Sequence, residues 1–166
     1  MDTTVAVAPI GFLSHDGTST IKGLVWEPER TRGSRRVAPR GVIQIVHGMV
    51  EHVGRYDEFA RFLVEQGFVV CAADHIGHGK SVASADELGC LPVDGKETLI
   101  EDVHELIQVP AVHPLYTFFD VYFMMPAQCV QLTRRFYLHL SVILPKRKQG
   151  FLVVLCLVHK VPFLLQ

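Results

Sequence analysis

The chain has 166 residues, 49% of them hydrophobic, and a formal net charge of −1. That is long enough for one compact domain with its own core. The balanced charge argues against a nucleic-acid or polyanion binder.

Residues 1–9 read as a flexible lead-in. Ile10-Gly11-Phe12-Leu13 is a short strand candidate, and Asp16-Gly17 signals the turn of a hairpin. Thr20 to Trp26 forms the second strand, ended by Pro28. Ile21 and Val25 fall on one parity and Leu24 and Trp26 on the other, so both faces are expected to be partly covered. Arg30 to Arg40 is an Arg-, Gly-, Ser- and Pro-containing loop. A basic patch is the sharper reading of Arg30, Arg32, Arg35, Arg36 and Arg40. A solvated turn is the plainer and preferred one, since no aromatic residue is interleaved to stack bases.

Val42 to Val46 is a strand with apolar residues on both parities, the pattern of a central strand covered on both faces. Tyr56, Phe59, Ala60, Leu63 and Val64 then share one helical face, and Gly67 is placed to stop that helix. Phe68 to Ala73 is apolar throughout and reads as the next strand. Strand, helix and strand in this order form a βαβ unit with parallel strands. Asp94 and Glu97 have capping-box spacing ahead of the stripe Leu99, Ile100, Val103, Leu106 and Ile107, so a helix is expected over 96–108.

Both parallel strands empty into polar loops at one sheet edge, where ligands bind in open α/β sheets. The first is His47-Gly48-Met49-Val50-Glu51-His52-Val53-Gly54-Arg55-Tyr56 and the second is Asp74-His75-Ile76-Gly77-His78-Gly79-Lys80-Ser81. The first resembles the HGMxEHxxRY signature of monoacylglycerol lipase and lysophospholipase-type α/β-hydrolases, proteins of serine aminopeptidase S33 type. The second resembles the DHxGHGxS loop of the same family. Asp102-Val103 also looks like the family's next helix. The resemblance covers about residues 10–108.

The resemblance implies an α/β fold comprising the N-terminal part of a hydrolase sheet. It also implies a serine hydrolase acting on a lipid ester, either a monoacylglycerol or a lysophospholipid, with no cofactor. Such chemistry needs a Ser nucleophile on a sharp elbow, a His base, an orienting acid and backbone donors for the oxyanion. By motif match the Met49 backbone N–H is one of those donors, and Gly48 lets substrate approach closely. His47, Glu51, His52, Arg55, Asp74, His75, Gly77, His78 and Gly79 are the expected scaffold joining the two loops. Glu51 and Arg55 are expected to pair at i,i+4 if the helix starts early enough.

No G-x-S-x-G pentapeptide occurs in the chain. Neither the catalytic acid nor the catalytic His is identifiable from the residues beyond 108, and His113, His139 and His159 match no family motif. The expectation is a partial α/β-hydrolase domain, a truncated or aberrantly spliced relative that is inactive by itself. The competing expectation is a non-enzymatic interaction protein.

Other readings of the same residues are weaker. His47, Glu51 and His52 form H-x-x-x-E-H, one residue too long for H-x-x-E-H, so hydrogen-bonded loop histidines are expected rather than a metal site. Gly77-His78-Gly79-Lys80-Ser81 lacks phosphate-loop spacing, because Asp74 stands where the first glycine would be. Ser81 fits a cap or loop hydrogen-bonder, and Cys71 fits plain core.

Residues 109–166 form a divergent region. Asp120 is its one acidic residue, while Arg134, Arg135, Lys146, Arg147, Lys148 and Lys160 are basic. An aromatic, basic tail suits a membrane surface, although an aggregating apolar tail is the plainer reading. Its longest clean apolar run, Phe151 to Val158, is well short of the about 20 residues a spanning helix needs. Cys71, Cys90, Cys129 and Cys156 are dispersed without a C-x-x-C pair, and the first residues lack a secretory signal pattern. A cytoplasmic or membrane-peripheral location with reduced thiols is therefore expected. Nothing in the residues specifies an oligomeric state.

Overall fold

The computed structural model describes residues 4–29 and 38–112, together with the backbone of strands at 121–126 and 153–157. Six strands form one mixed sheet: β1 (Val5–Leu13), β2 (Thr20–Pro28), β3 (Val42–Ile45), β4 (Val69–Ala73), β5 (Val121–Pro126) and β6 (Val153–Leu157). Their order across the sheet is β1-β2-β4-β3-β5-β6. Among the described residues two α-helices, α1 (Asp57–Glu65) and α2 (Gly95–Gln108), accompany them.

β3 and β4 pair in parallel, with Val42 opposite Val69 and Ile45 opposite Ala72. This is the βαβ unit the apolar runs predict. The absence of hydrophobic alternation has a direct cause. Ile43, Ile45, Val70 and Ala72 face a core shared with Ala60, Leu63 and Val64 of α1. Val42, Val69 and Cys71 face the opposite core, shared with Ile100, Leu106 and Ile107 of α2. A sheet with a helix on each face has no solvent side to encode. β2 shows the same division, since Val25 belongs to the α2 side and Trp26 to the α1 side. Trp26 is fully buried, and its indole N–H donates to Asp57 Oδ1 at 2.8 Å, tying β2 to the first turn of α1.

Helix α1 ends as Gly67 foretells. The Phe68 N–H donates to the Leu63 carbonyl at 3.1 Å and the Gly67 N–H to the Val64 carbonyl at 2.9 Å. These are the paired bonds of a Schellman cap. They turn the chain sharply enough for β4 to begin at Val69.

Three sequence expectations need correction, and one region left open gains strands. Residues 5–9 are not a lead-in: β1 starts at Val5 and pairs along its length with β2, Val5 opposite Pro28 and Leu13 opposite Thr20. β1 is an edge strand, where Pro9 and its missing N–H are tolerated. The connection to β2 is a six-residue loop, 14–19, rather than a tight turn. Asp16 organises it by accepting from the Thr18 and Ser19 N–H groups, both at 2.8 Å. At α2, Asp94 occupies the N-cap position, but its side chain makes no capping hydrogen bond; its carbonyl accepts the Thr98 N–H at 2.9 Å. The region beyond residue 109 also contributes to the sheet. β5 pairs in parallel with β3, Val42 opposite Val121, and β6 pairs in parallel with β5. β3 is therefore an interior strand.

Arg40 lies against the Phe68 ring, its guanidinium carbon 5.1 Å from the ring centroid, and donates to the Gln66 carbonyl at 3.1 Å. Arg30, Arg32, Arg35, Arg36, His113, His139, His159 and Cys129 lie outside the described residues.

Candidate functional site

The loops after β3 and β4 meet at the carboxyl edge of the sheet. Parallel pairing of Ile45 with Ala72 delivers both loops to one place. Three histidine rings then pack between them. His47 and His75 have ring centroids 4.2 Å apart, and His78 lies 5.4 Å from His47 and 6.1 Å from His75. All three are buried.

Backbone partners assign the tautomers of two of the rings. His47 Nε2 accepts the His75 backbone N–H at 3.0 Å, so the ring proton sits on Nδ1, which donates to the Gly48 carbonyl at 2.8 Å. His75 Nε2 returns the contact, donating to the His47 carbonyl at 3.1 Å. Both rings are held neutral. Burial is the main cause of the lowered His47 pKa, partly opposed by its bond to Gly48 and by Asp74. Burial, with the neighbouring His47, brings His75 down to about 3. His47 Nε2 also lies 3.8 Å from Asp74 Oδ1, but an acceptor nitrogen on a neutral ring makes this a polar contact, not an ion pair.

Asp74 is the hub of the arrangement. It is 5% exposed. Its Oδ1 accepts the Val53 N–H from the first loop at 2.7 Å, and its Oδ2 accepts the Lys80 N–H from its own loop at 2.8 Å. Its carbonyl accepts from Ser81 Oγ at 2.7 Å, and Ser81 Oγ accepts the Lys22 N–H at 2.9 Å. Ser81 is thus a loop hydrogen-bonder, as its position in the motif suggests. The glycines make room for this hub. Gly79 has φ of +49°, and a Cβ there would fall on the Asp74 carboxylate; Gly77 has φ of +74°, and a Cβ there would strike the Cys90 carbonyl.

The first loop turns at Gly48–Glu51. The Glu51 N–H donates to the Gly48 carbonyl at 3.1 Å, and Glu51 Oε2 accepts the Gly48 N–H at 3.1 Å. The Tyr56 hydroxyl donates to the same Oε2 at 2.5 Å. Glu51 was expected to pair with Arg55 on an early helix. Instead a 3-10 turn spans Val53–Tyr56 and α1 begins only at Asp57, so Glu51 precedes the helix and serves the turn. His52 and Arg55 also depart from expectation. Both are exposed, and among the described residues neither side chain joins the loops. Tyr56, placed by periodicity on the apolar helical face, is in addition a loop ligand. Its signal was its place directly before the helix, five residues from Glu51.

Met49 sits at the tip of this turn, half exposed, beside Val50, which is almost fully exposed. Its carbonyl accepts from His78 Nε2 at 2.6 Å. Its N–H donates to nothing among the described residues. A trans peptide points its C=O and N–H in opposite directions. The Gly48 carbonyl is held by His47 Nδ1 and by the Glu51 N–H, so the Met49 N–H of the same plane is aimed away from the loops.

Asp102 of α2 extends the anchoring to the hairpin. Its Oδ2 accepts from Ser14 Oγ at 2.9 Å and its Oδ1 from the His15 N–H at 2.7 Å. Burial pushes its carboxyl above the usual range, opposed by those two bonds. No group of His, Cys, Asp and Glu among the described residues is arranged to hold a metal ion. Among the same residues no helix is long and apolar enough to cross a membrane.

The buried histidines give a pH prediction. His47 and His75 have folded-state pKa values below the ordinary 6.5. Below pH 6.5 the unfolded chain therefore binds more protons, and stability falls as pH drops, down to about 3 for His75. Asp102 acts in the opposite sense. Its raised pKa means the folded state takes up a proton before the unfolded state does, recovering part of the loss. The net expectation is about 1–2 kcal/mol lower stability at pH 5.5 than at pH 7. Urea melts at the two pH values measure it. Equal midpoints would contradict neutral burial of these rings.

Comparison with known proteins places these loops in a family. The family model for serine aminopeptidase, S33, matches residues 37–119, half of the chain. Human monoglyceride lipase is 32% identical over 83 residues, covering 50% of this chain and 21% of the lipase. A monoacylglycerol lipase of Mycolicibacterium smegmatis is 33% identical over 84 residues, covering 51% of this chain and 23% of that protein. Among solved structures, a thermostable carboxyl esterase from Bacillus coagulans in complex with glycerol aligns with a TM-score of 0.70 at 28% identity, over 91% of this chain and 44% of the esterase. The chain thus spans less than a quarter of these two lipases and less than half of the esterase. With the parallel βαβ unit and both loop motifs in place, this chain belongs to the serine aminopeptidase S33 family and has the α/β-hydrolase fold.

Proposed function

We propose that the chain provides the oxyanion side of a carboxylic-ester hydrolase site, with a monoacylglycerol or lysophospholipid as the ester, and does not turn over by itself. The observation that carries this reading is the Met49 N–H. It stands unspent among the described residues at the carboxyl end of β3, in a peptide whose opposite end is held by His47. A developing oxyanion needs a donor that is fixed before the reaction and not already satisfied by the protein. The names of the two lipases and the esterase support the substrate class.

The chemistry would run as follows. A nucleophile adds to the ester carbonyl, and its oxygen takes negative charge. The Met49 N–H stabilises that charge, and the alcohol leaves as the carbonyl reforms. His47, Glu51, Asp74 and Tyr56 touch no reacting atom in this scheme; they position the turn.

The absence of G-x-S-x-G from the 166 residues favours a chain without turnover and gives a second reading some weight. In that reading the chain is a non-enzymatic partner of other proteins. Purified chain incubated with a short-chain aryl ester and a fluorophosphonate serine probe tests the lack of turnover. We expect hydrolysis at the buffer rate and no covalent label. Labelling of any serine would overturn the expectation of an inactive chain.

A further inference from the structure

We infer that His78 is a positioning residue for the oxyanion donor: its Nε2–H, donated to the Met49 carbonyl, holds the tip of the first loop against the second. The inference rests on the proposed role of Met49 and adds a residue to it. The argument begins with what else secures the Gly48–Glu51 turn. Its base is well anchored. His75 exchanges two bonds with His47, and Asp74 holds the Val53 N–H. The Glu51 carboxylate closes the turn upon itself through the Gly48 N–H and the Tyr56 hydroxyl.

The tip has none of this. Met49 is 50% exposed and Val50 90% exposed, so burial contributes little to holding either residue. An exposed turn tip is ordinarily among the most mobile parts of a fold. Among the described residues the bond from His78 is the single hydrogen bond by which the second loop holds the tip. It is also the shortest of the histidine contacts here, 2.6 Å against 2.8–3.1 Å for the others.

Two successive peptide planes are therefore pinned on either side of the Met49 Cα. His47 holds the Gly48 carbonyl and His78 holds the Met49 carbonyl. The plane that carries the Met49 N–H is held through its Gly48 carbonyl, and the His78 bond fixes the following plane, so the torsions on both sides of the Met49 Cα are restrained and the turn keeps its shape. The ring itself is well placed to bear this role. It is 6% exposed, and its Nδ1 lies 2.9 Å from the Ile76 carbonyl of its own loop. Both nitrogens face carbonyl oxygens, which only accept, and the shorter contact places an N–H on Nε2.

The test uses the full 166-residue chain labelled with nitrogen-15. Long-range proton–nitrogen correlation on the wild type is expected to show a protonated Nε2 on His78. An unprotonated Nε2 overturns the inference whatever the variants do. His78→Phe keeps a ring and removes the donor; exchange of the Glu51 amide, which closes the turn, is expected to quicken by roughly tenfold. His78→Gln places an amide donor near the Nε2 position and is expected to restore most of the protection. Exchange unchanged in His78→Phe, or His78→Gln no better than His78→Phe, overturns the inference. Because these readouts follow the turn and not turnover, they stand even if Met49 proves to have no part in ester hydrolysis.

Discussion

Replacing Asp74 with alanine is expected to cost about 3–5 kcal/mol of stability, because two backbone N–H groups lose a charged acceptor. The carboxylate is nearly inaccessible and accepts two backbone N–H groups from two different loops. Alanine would leave the buried Val53 amide and the part-buried Lys80 amide without their acceptor. Bonds to a charged acceptor contribute about 1.5–3 kcal/mol each. The space above Gly79, shaped for the carboxylate, would be left as a void. Asp74→Asn separates charge and acceptor from volume. Its amide can accept one N–H and must face the other with its own NH2, so about 2 kcal/mol is expected. Urea unfolding of the three proteins should rank them wild type, Asn, Ala. An Ala variant as stable as wild type would remove Asp74 from the centre of the site.

This hub shows where a sequence reading succeeds and where it stops. β3, α1 and β4 are legible because burial on both strand faces demands unbroken apolar runs, and because one helical face demands its period. The two loops are legible because Gly, His and Asp crowd the ends of those runs. The ranking within the loops is another matter. His52 and His75 look alike in the sequence, yet His52 is exposed and His75 is closed in between His47 and the sheet edge. Asp102 and His104 fall outside the apolar stripe of α2, yet both are buried. For Asp102 the cause is a contact with Ser14 across 88 positions, which no local pattern encodes. The first residues of β1 escape notice for a related reason. Ala and Pro are poor strand formers, and pairing with β2 along nine residues overrides them. The region beyond residue 109 is apolar without clear periodicity, so the register of its strands against the sheet is not written locally.

The donor itself can be tested where turnover exists. Residues 37–112 of this chain, grafted in place of the matching segment of human monoglyceride lipase, would supply the two loops to a lipase that has its own remaining residues. If the Met49 N–H faces the oxyanion, Met49→Pro in the graft should lower kcat by about 10²–10³-fold, the loss expected on removing one oxyanion donor. KM should change much less, because the bond strengthens as charge develops and not when the ester binds. Met49→Ala keeps the N–H and shortens a side chain that is already half exposed, so it should stay within a few-fold of the unmodified graft. The pair controls for the backbone. Proline also restrains φ, and a graft disordered by it would lose binding along with rate. A Met49→Pro graft with unchanged kcat would show that the charge is stabilised elsewhere. A Met49→Ala graft as impaired as Met49→Pro would show that the side chain matters and the N–H does not.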